Sequence, residues 1–455
     1  MTRARLDGLY FLLIASVMFV LLGAVLEEGS SVHMEDYRAM YFSARCLMQH
    51  CDPYREGDVL RVYRAEGGDY PSDSSIDRQI GTRYAYLPTA FCLALPFAML
   101  PWGPAHLLWM ALTMGSLILA SFLIWNIGAD YAPIFSGVLI GFLLANSEVV
   151  VVFGNSAGIV VSLCIVAVWC FLRERFVPAG ILCLAIGLAT KPQDAGVVWL
   201  YFLLAGGVYR KRALKTLLAL VALSLPVVLW VWHVSPHWMQ ELYSNILALS
   251  AHGGLNDPGP SSASPHGLGM MINLQTAISV FLDDPRIYNL ATSLVCAPLL
   301  LAWAFVTLRS RPSPRRTWLG LAAIATLSLL PIYHRQYDAK LLLLTVPACA
   351  MLWAEGGLIG WLALLLNSAA LALTGDIPWV ILGGLIRSLH ISTTGPSGEM
   401  TKAALGLPTP LLLLLMGVFY LWIYLFRSPG ISPNEPADGM VRGLPDATGR
   451  KRDKA

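Results

Sequence analysis

Apolar residues gather in runs at about 9–26, 104–126, 132–150, 156–172, 177–190, 194–209, 216–234, 287–308, 318–333, 339–354, 356–374 and 407–426. A bilayer needs ~20 such residues per helix, so the pattern predicts an all-α polytopic membrane protein of about 12 transmembrane helices. Three longer segments interrupt it: residues 27–103, 235–286 and 375–406. The basic residues sort the connections by side. With Arg3 and Arg5 inside, the inner loops carry Arg173 and Arg175, then Arg210, Lys211, Arg212 and Lys215, then Arg309, Arg311, Arg315 and Arg316. The loop holding Asp130 has no basic residue and the turn at Glu355 is acidic, so these two break the pattern. All three long segments fall on the outer side.

Within the first outer segment, Tyr37, Met40, Tyr41, Ala44, Leu47 and Met48 repeat at helical spacing, with Arg38, Arg45 and Gln49 opposite. An amphipathic helix lying in the interface is expected here, with Asp36 at the rim of its apolar stripe and Glu35 as solvated surface. Tyr84–Trp102 is bounded by Pro88 and Pro101 and reads as a re-entrant or surface helix. Residues 238–249 predict a further interfacial helix, followed by a Gly/Pro/Ser-rich loop over 253–269. With no internal repeat or soluble domain in evidence, residues 1–427 read as one membrane domain and 428–455 as a disordered cytoplasmic tail.

Composition agrees. The 455 residues are 56% hydrophobic and only 13% charged, against about 25% in soluble domains. A net charge of +3 with no basic motif excludes nucleic-acid binding. Eight cysteines show no metal-ligand spacing; Cys46 and Cys51 share one outer loop and could form a disulfide, but separate thiols are the favoured reading. The N-terminal run lacks a small-residue cleavage site after its arginines and is expected to stay as an anchor.

Polar residues close to membrane spans are costly and mark function. They collect at the outer ends: Asp36; Asn155 in GNSAG; Lys191, Gln193 and Asp194 in ATKPQD; Asn273 and Gln275 in MINLQT; His334, Arg335, Asp338 and Lys340 in YHRQYDAK. One carboxylate with several cations suits transfer of a sugar from a lipid phosphate. The departing phosphate is already a stable anion, so the step needs one base and cations to hold the charge. Asp36 is the candidate base. Lys191, His334, Arg335 and Lys340 are candidate phosphate ligands, and Tyr86, Asn155, Gln193, Asp338 and Asn273 candidates for binding or orienting substrate. No carboxylate cluster calls for a metal, and the step needs no cofactor.

The ordered segments DYRAMYFSARCL…DPY, YAYLP…LPW, GNSAG, AGILCLAIGLATKPQ and YHRQYDAK resemble the GT-C polyprenol-phosphate-sugar-dependent glycosyltransferases over residues 9–426. The bacterial family 87 type, which includes polyprenol-phosphomannose-dependent α-mannosyltransferases, is the nearest group. Asn155 stands where relatives often carry Gln, and Leu87 interrupts what is often Tyr-Pro-Pro. The resemblance implies a GT-C bundle and a catalytic aspartate at Asp36. It also implies a basic element at Lys191-Pro192-Gln193 and a histidine at His334. It further implies a plasma-membrane hexosyltransferase with its site on the periplasmic or extracellular side. Such an enzyme would move a hexose, mannose by this reading, from a polyprenyl-phosphate sugar to a cell-envelope or lipid-linked glycan with inversion. Two alternatives use the same residues: a secondary transporter, and a polymerase or ligase of lipid-linked glycans. A transporter calls for repeats and charges at the bilayer midplane, whereas here the charges sit at one edge.

Overall fold

The computed structural model describes residues 2–30, 34–67, 83–259, 270–377 and 406–427, with Ile381 and Ser388. The expected tail at 428–455 and most of the outer segment at 375–406 lie outside the described residues.

Each of the twelve apolar runs contains helix, although 145–148 and 328–333 are turns and 339–345 is 3-10. After α1 (Arg3–Glu28), the first outer segment folds into α2 (Glu35–Met48), α3 (Glu56–Ala65), a 3-10 turn at Pro88–Ala90 and α4 (Phe91–Ala98). The bundle continues with α5 (Trp102–Gly128), α6 (Pro133–Leu144), one-turn α7 (Val149–Val152), α8 (Ala157–Leu172), α9 (Val177–Thr190), α10 (Pro192–Ala205) and α11 (Gly207–Val234). The second outer segment supplies α12 (Trp238–Ser250) and α13 (Leu274–Ser279). Then come α14 (Pro285–Arg309), α15 (Pro314–Leu327), a 3-10 stretch Asp338–Thr345 leading into α16 (Val346–Glu355), α17 (Gly357–Leu373) and α18 (Pro408–Phe426). No strand occurs among the described residues.

Six units are long and apolar enough to cross a membrane: α1, α5, α6 with α7, α11, α14 and α18. Twelve were expected. The other runs form helices of 10 to 17 residues, short of the ~20 a bilayer needs. Local chemistry cuts them short. Gly206 and Gly207 separate α10 from α11, both with φ in the left-handed region where a side chain would be strained. Pro192 and Pro314 each open a helix, where a missing N–H costs nothing. The YAYLP…LPW run gives only α4 and its 3-10 lead, which is too short to span.

Burial runs inside out. α8 buries 12 of its 16 residues and α15 buries 11 of 14, so these short helices are the core. α11 buries five of 28 and α14 five of 25, and both expose leucines such as Leu218 and Leu301. An apolar face of that extent is tolerated in lipid and not in water.

The ion pairs at one end join the loops assigned inside. Asp130 accepts from Arg5 at 2.6 Å and from Arg173 at 2.9 Å, Arg212 reaches Glu174 at 2.9 Å, and Arg315 pairs with Glu355. The two acidic exceptions to the charge pattern are therefore counter-ions of arginines on the same side. Partly exposed pairs of this kind add little stability, and their value here is geometric.

A sidedness experiment checks this arrangement. In a background without the native cysteines, cysteines at the exposed positions Glu174 and Lys211 should label from one face of sealed vesicles. Cysteines at Arg61 and Met239 should label from the other. Mixed labelling within either pair would break the topology.

Candidate active site

The outer end is built around α2, whose amphipathic pattern signals one apolar face and whose polar face the fold covers as well. Nine of its 14 residues are buried, because α3, α4 and α5 close over it. Even the polar face is covered: Arg45 pairs with Glu66 at 2.6 Å and donates to the Ala98 carbonyl, while Arg38 lies 6.0 Å from the rings of Tyr63 and Trp102. Past the helix end the chain reverses at His50, whose φ is positive, and Cys46 and Cys51 come to a Cα separation of 5.0 Å as a disulfide. That corrects their reading as separate thiols, since a turn closing the helix places i and i+5 within bridging range.

The N-terminus of α2 is pinned to the break between α7 and α8. The Met34 and Asp36 amides donate to the carbonyls of Val152 and Phe153 at 2.9 and 3.1 Å. Tyr37 stacks on Trp109 at 4.3 Å, and the Trp109 indole donates to the Gly154 carbonyl at 2.8 Å. Gly154 has φ +61°, and a Cβ there would stand 2.8 Å from the Cβ atoms of both Met34 and Tyr37. The first residue of GNSAG is thus glycine because two backbones meet at it.

Asp36 emerges from this junction into a cavity of about 310 Å³. Glu35, Arg83, Tyr86, Gln193, Tyr333 and Arg335 line its polar parts, and Ile246, Leu249 and Leu255 an apolar wall. Glu35, expected as solvated surface, thus shares the cavity. Asp36 Oδ2 accepts from Asn155 Nδ2 at 2.8 Å. Burial raises the Asp36 carboxyl above its ordinary range, and Arg335, Asn155 and Lys191 oppose that shift in descending order.

Lys191 sits in the one-residue joint between α9 and α10 and is 4% exposed. Its ammonium pairs with Asp338, lies 3.5 Å from Asp194 Oδ2 and donates to Asn155 Oδ1 at 3.3 Å. Three N–H groups are all an ammonium has, so this one is committed to the protein. His334 Nε2 reaches Asp194 at 3.4 Å, while Nδ1 donates to the Ile332 carbonyl. Burial works against its charged form, but Asp194 and Asp338 outweigh that and hold His334 above its ordinary pKa. Asp194, His334 and Asp338 bring ligating atoms within 4.8 Å of one another, and the Lys191 ammonium lies against both carboxylates.

Arg335 differs. Its Nη2 donates to the Leu255 carbonyl and Asn256 Oδ1 at 3.1 and 3.2 Å, yet its buried Nε has no hydrogen-bond partner. The turn carrying it is fixed by backbone pairing with the second outer segment, Ile272 to His334 at 3.1 Å and Gln336 to Met270 at 3.1 Å. Asp338 accepts from the Arg335 amide at 2.8 Å.

The structure brings Asp36, Tyr86, Asn155, Lys191, Gln193 and Arg335 to one cavity. His334 and Asp338 lie behind its wall, buried against Asp194 and Lys191. Lys340 is elsewhere: its ammonium donates to the Asn146 carbonyl at 3.1 Å, within the field of Asp376 and Glu148. Asn273 is also elsewhere, bonded to Gln275 and Thr276 as it opens α13. YHRQYDAK is not one helix face, because a turn aims 334–337 one way and the 3-10 stretch aims Lys340 another. Arg83, Tyr333, Tyr337 and Asn256 line the cavity without having been singled out, and only the tyrosines beside His334 carried a signal. A second cavity, beside Tyr201 and Tyr424, holds about 10 Å³ and is too small for a substrate.

The family model for glycosyltransferase family 87 matches residues 84–332, more than half of the chain, and the protein belongs to that family. It is a membrane glycosyltransferase. The match takes in Tyr86, Asn155, Lys191 and Gln193, starts after Asp36 and stops before His334. No curated protein and no solved structure matches the chain.

Gly154→Ala should lower the thermal unfolding temperature in detergent by an amount worth about 1–3 kcal/mol. Gly115→Ala, where a Cβ meets nothing within 4 Å, should leave it unchanged or raise it slightly. Equal behaviour of the two would refute the Gly154 clamp.

Proposed function

We propose that the protein transfers a hexose, mannose by the resemblance, from a polyprenyl-phosphate sugar to a lipid-linked or cell-envelope glycan, with Asp36 as the base. In one displacement the acceptor oxygen bonds to the anomeric carbon and the bond to the phosphate oxygen breaks. The proton passes to Asp36 and the phosphate leaves as an anion, so the anomeric centre inverts. The observation that carries this reading is a half-buried carboxylate facing, in the same cavity, a buried arginine with an unused donor.

Arg335 takes the principal phosphate role in this account. Lys191 and His334 are spent on Asp194 and Asp338, so they shape the field rather than touch the phosphate. Tyr86, Tyr333 and Tyr337 offer ring faces to a sugar, and the wall of Ile246, Leu249 and Leu255 suits the first isoprene units. Gln193 is free to orient hydroxyls. The reading includes a single domain over residues 1–427 and a GT-C-type bundle of about 12 crossings, in which short helices such as α9 and α10 pair at tight joints. It also places the site on the periplasmic or extracellular side of the plasma membrane, and invokes neither cofactor nor metal. A cystine between Cys46 and Cys51 fits that oxidising side. Family membership sets the transporter alternative aside. A polymerase or ligase would differ in its acceptor.

Asp36→Asn should cut transfer from a radiolabelled polyprenyl-phosphate sugar by about 100-fold or more while the protein still inserts, and Glu35→Gln should retain most activity. The reverse pattern would move the base to Glu35. Arg335→Gln should chiefly raise the KM for donor. Because a base works ionised and Asp36 sits above its ordinary range, activity should fall away on the acid side at a pH higher than an exposed aspartate would give.

A further inference from the structure

We propose that Asn155 is a positioning residue, an amide held in one orientation by Lys191 so that its N–H face aims Asp36 at the acceptor. This rests on Asp36 being the base. An amide side chain has one end that accepts and one that donates, and here the neighbours decide which way it faces. On one side stand the Ala157 backbone N–H at 2.9 Å and the Lys191 ammonium at 3.3 Å, neither of which can accept a hydrogen bond. The carbonyl must face them. The NH₂ group then faces Asp36 Oδ2 at 2.8 Å and the Tyr86 hydroxyl at 3.5 Å.

Asn155 is 2% exposed and lies in the short link between α7 and α8, so it cannot swing away. Lys191 is anchored in turn by Asp194 and Asp338. A chain of fixed contacts therefore runs from the 3-10 stretch to one oxygen of Asp36. Among the described residues that is the only side-chain hydrogen bond Asp36 accepts, which leaves Oδ1 for the acceptor hydroxyl.

The charged and titratable groups that act on Asp36 or line its cavity come from the elements around it. Arg335, Tyr333 and Tyr337 stand on the 333–337 turn, Lys191 on the α9–α10 joint, Tyr86 and Arg83 on the 83–87 strap, and Glu35 on α2 itself. Against burial, Arg335 acts first, then the Asn155 hydrogen bond, then Lys191. Deleting the Asn155 amide removes a donor that favours the ionised carboxylate, so the midpoint must rise.

The test uses the full-length protein in lipid nanodiscs. Acid-titration infrared difference spectra isolate the carboxyl band that vanishes in Asp36→Asn, and its midpoint is then measured in the Asn155 variants. Asn155→Ala should raise that midpoint by about one pH unit, as loss of a charge-assisted hydrogen bond requires, and the acid limb of kcat/KM should move with it. If Asn155→Ala fails to insert, Asn155→Ser takes its place. Its hydroxyl can still cap the Ala157 amide but is too short to reach Asp36, so the same shift is expected. An unmoved midpoint in a folded variant overturns the proposal, even if activity falls. Retained transfer in Asp36→Asn would refute the base assignment, while the midpoint would still report whether Asn155 tunes Asp36.

Discussion

The outer end of this protein depends on one buried ammonium. Lys191 stands between two carboxylates from different parts of the chain, Asp194 on α10 and Asp338 at the head of the 3-10 stretch, and its remaining N–H holds Asn155. Neither carboxylate could stay ionised at that depth alone, and breaking a buried pair from one side costs about 3–5 kcal/mol. The arrangement thus locks α8, α10 and the 3-10 stretch to one another. It also sets the orientation of the amide that meets Asp36. Lys191 lines the cavity with its ammonium committed to the protein, and Arg335 is the cation proposed to meet the ligand.

Backbone geometry supplies the other half. Gly154 lets α2 dock against the α7–α8 link, and the Tyr37–Trp109 stack closes over the junction. The second outer segment pairs with 334–336 and so aims Arg335 inward, while Asn245 of α12 donates to the carbonyls of Tyr54 and Tyr84 at 2.9 and 3.2 Å. The cavity is therefore bounded by residues from segments more than 200 positions apart. An apolar wall on one side and a charged one on the other are what the proposed lipid-linked donor would need.

Much of this was legible in the sequence. The apolar runs gave the helices, and the arginine-rich loops gave the end at which they meet. The clustering of ATKPQD and YHRQYDAK on the opposite side gave the charged cavity. What the sequence hid was three-dimensional. Periodicity in α2 signals one apolar face, but it cannot show that three further elements cover the polar one. Only four positions separate His334 from Asp338, yet nothing in the string YHRQYDAK says that Asp338 faces Lys191, that Arg335 faces the cavity and that Lys340 faces neither. Helix length was also misleading, since the well-buried α8 and α15 are too short to span and the runs do not reveal where a glycine pair or a proline cuts them.

The central claim is that sugar, phosphate and acceptor meet between Asp36 and Arg335. A structure of the protein bound to a short-chain polyprenyl-phosphate sugar tests it most directly. The account predicts the phosphate against Arg335, the tail along Ile246 and Leu249, and the anomeric carbon turned toward Asp36 with room for one hydroxyl between them. A phosphate seated at Lys340, or a sugar with its anomeric carbon turned away from Asp36, would contradict it.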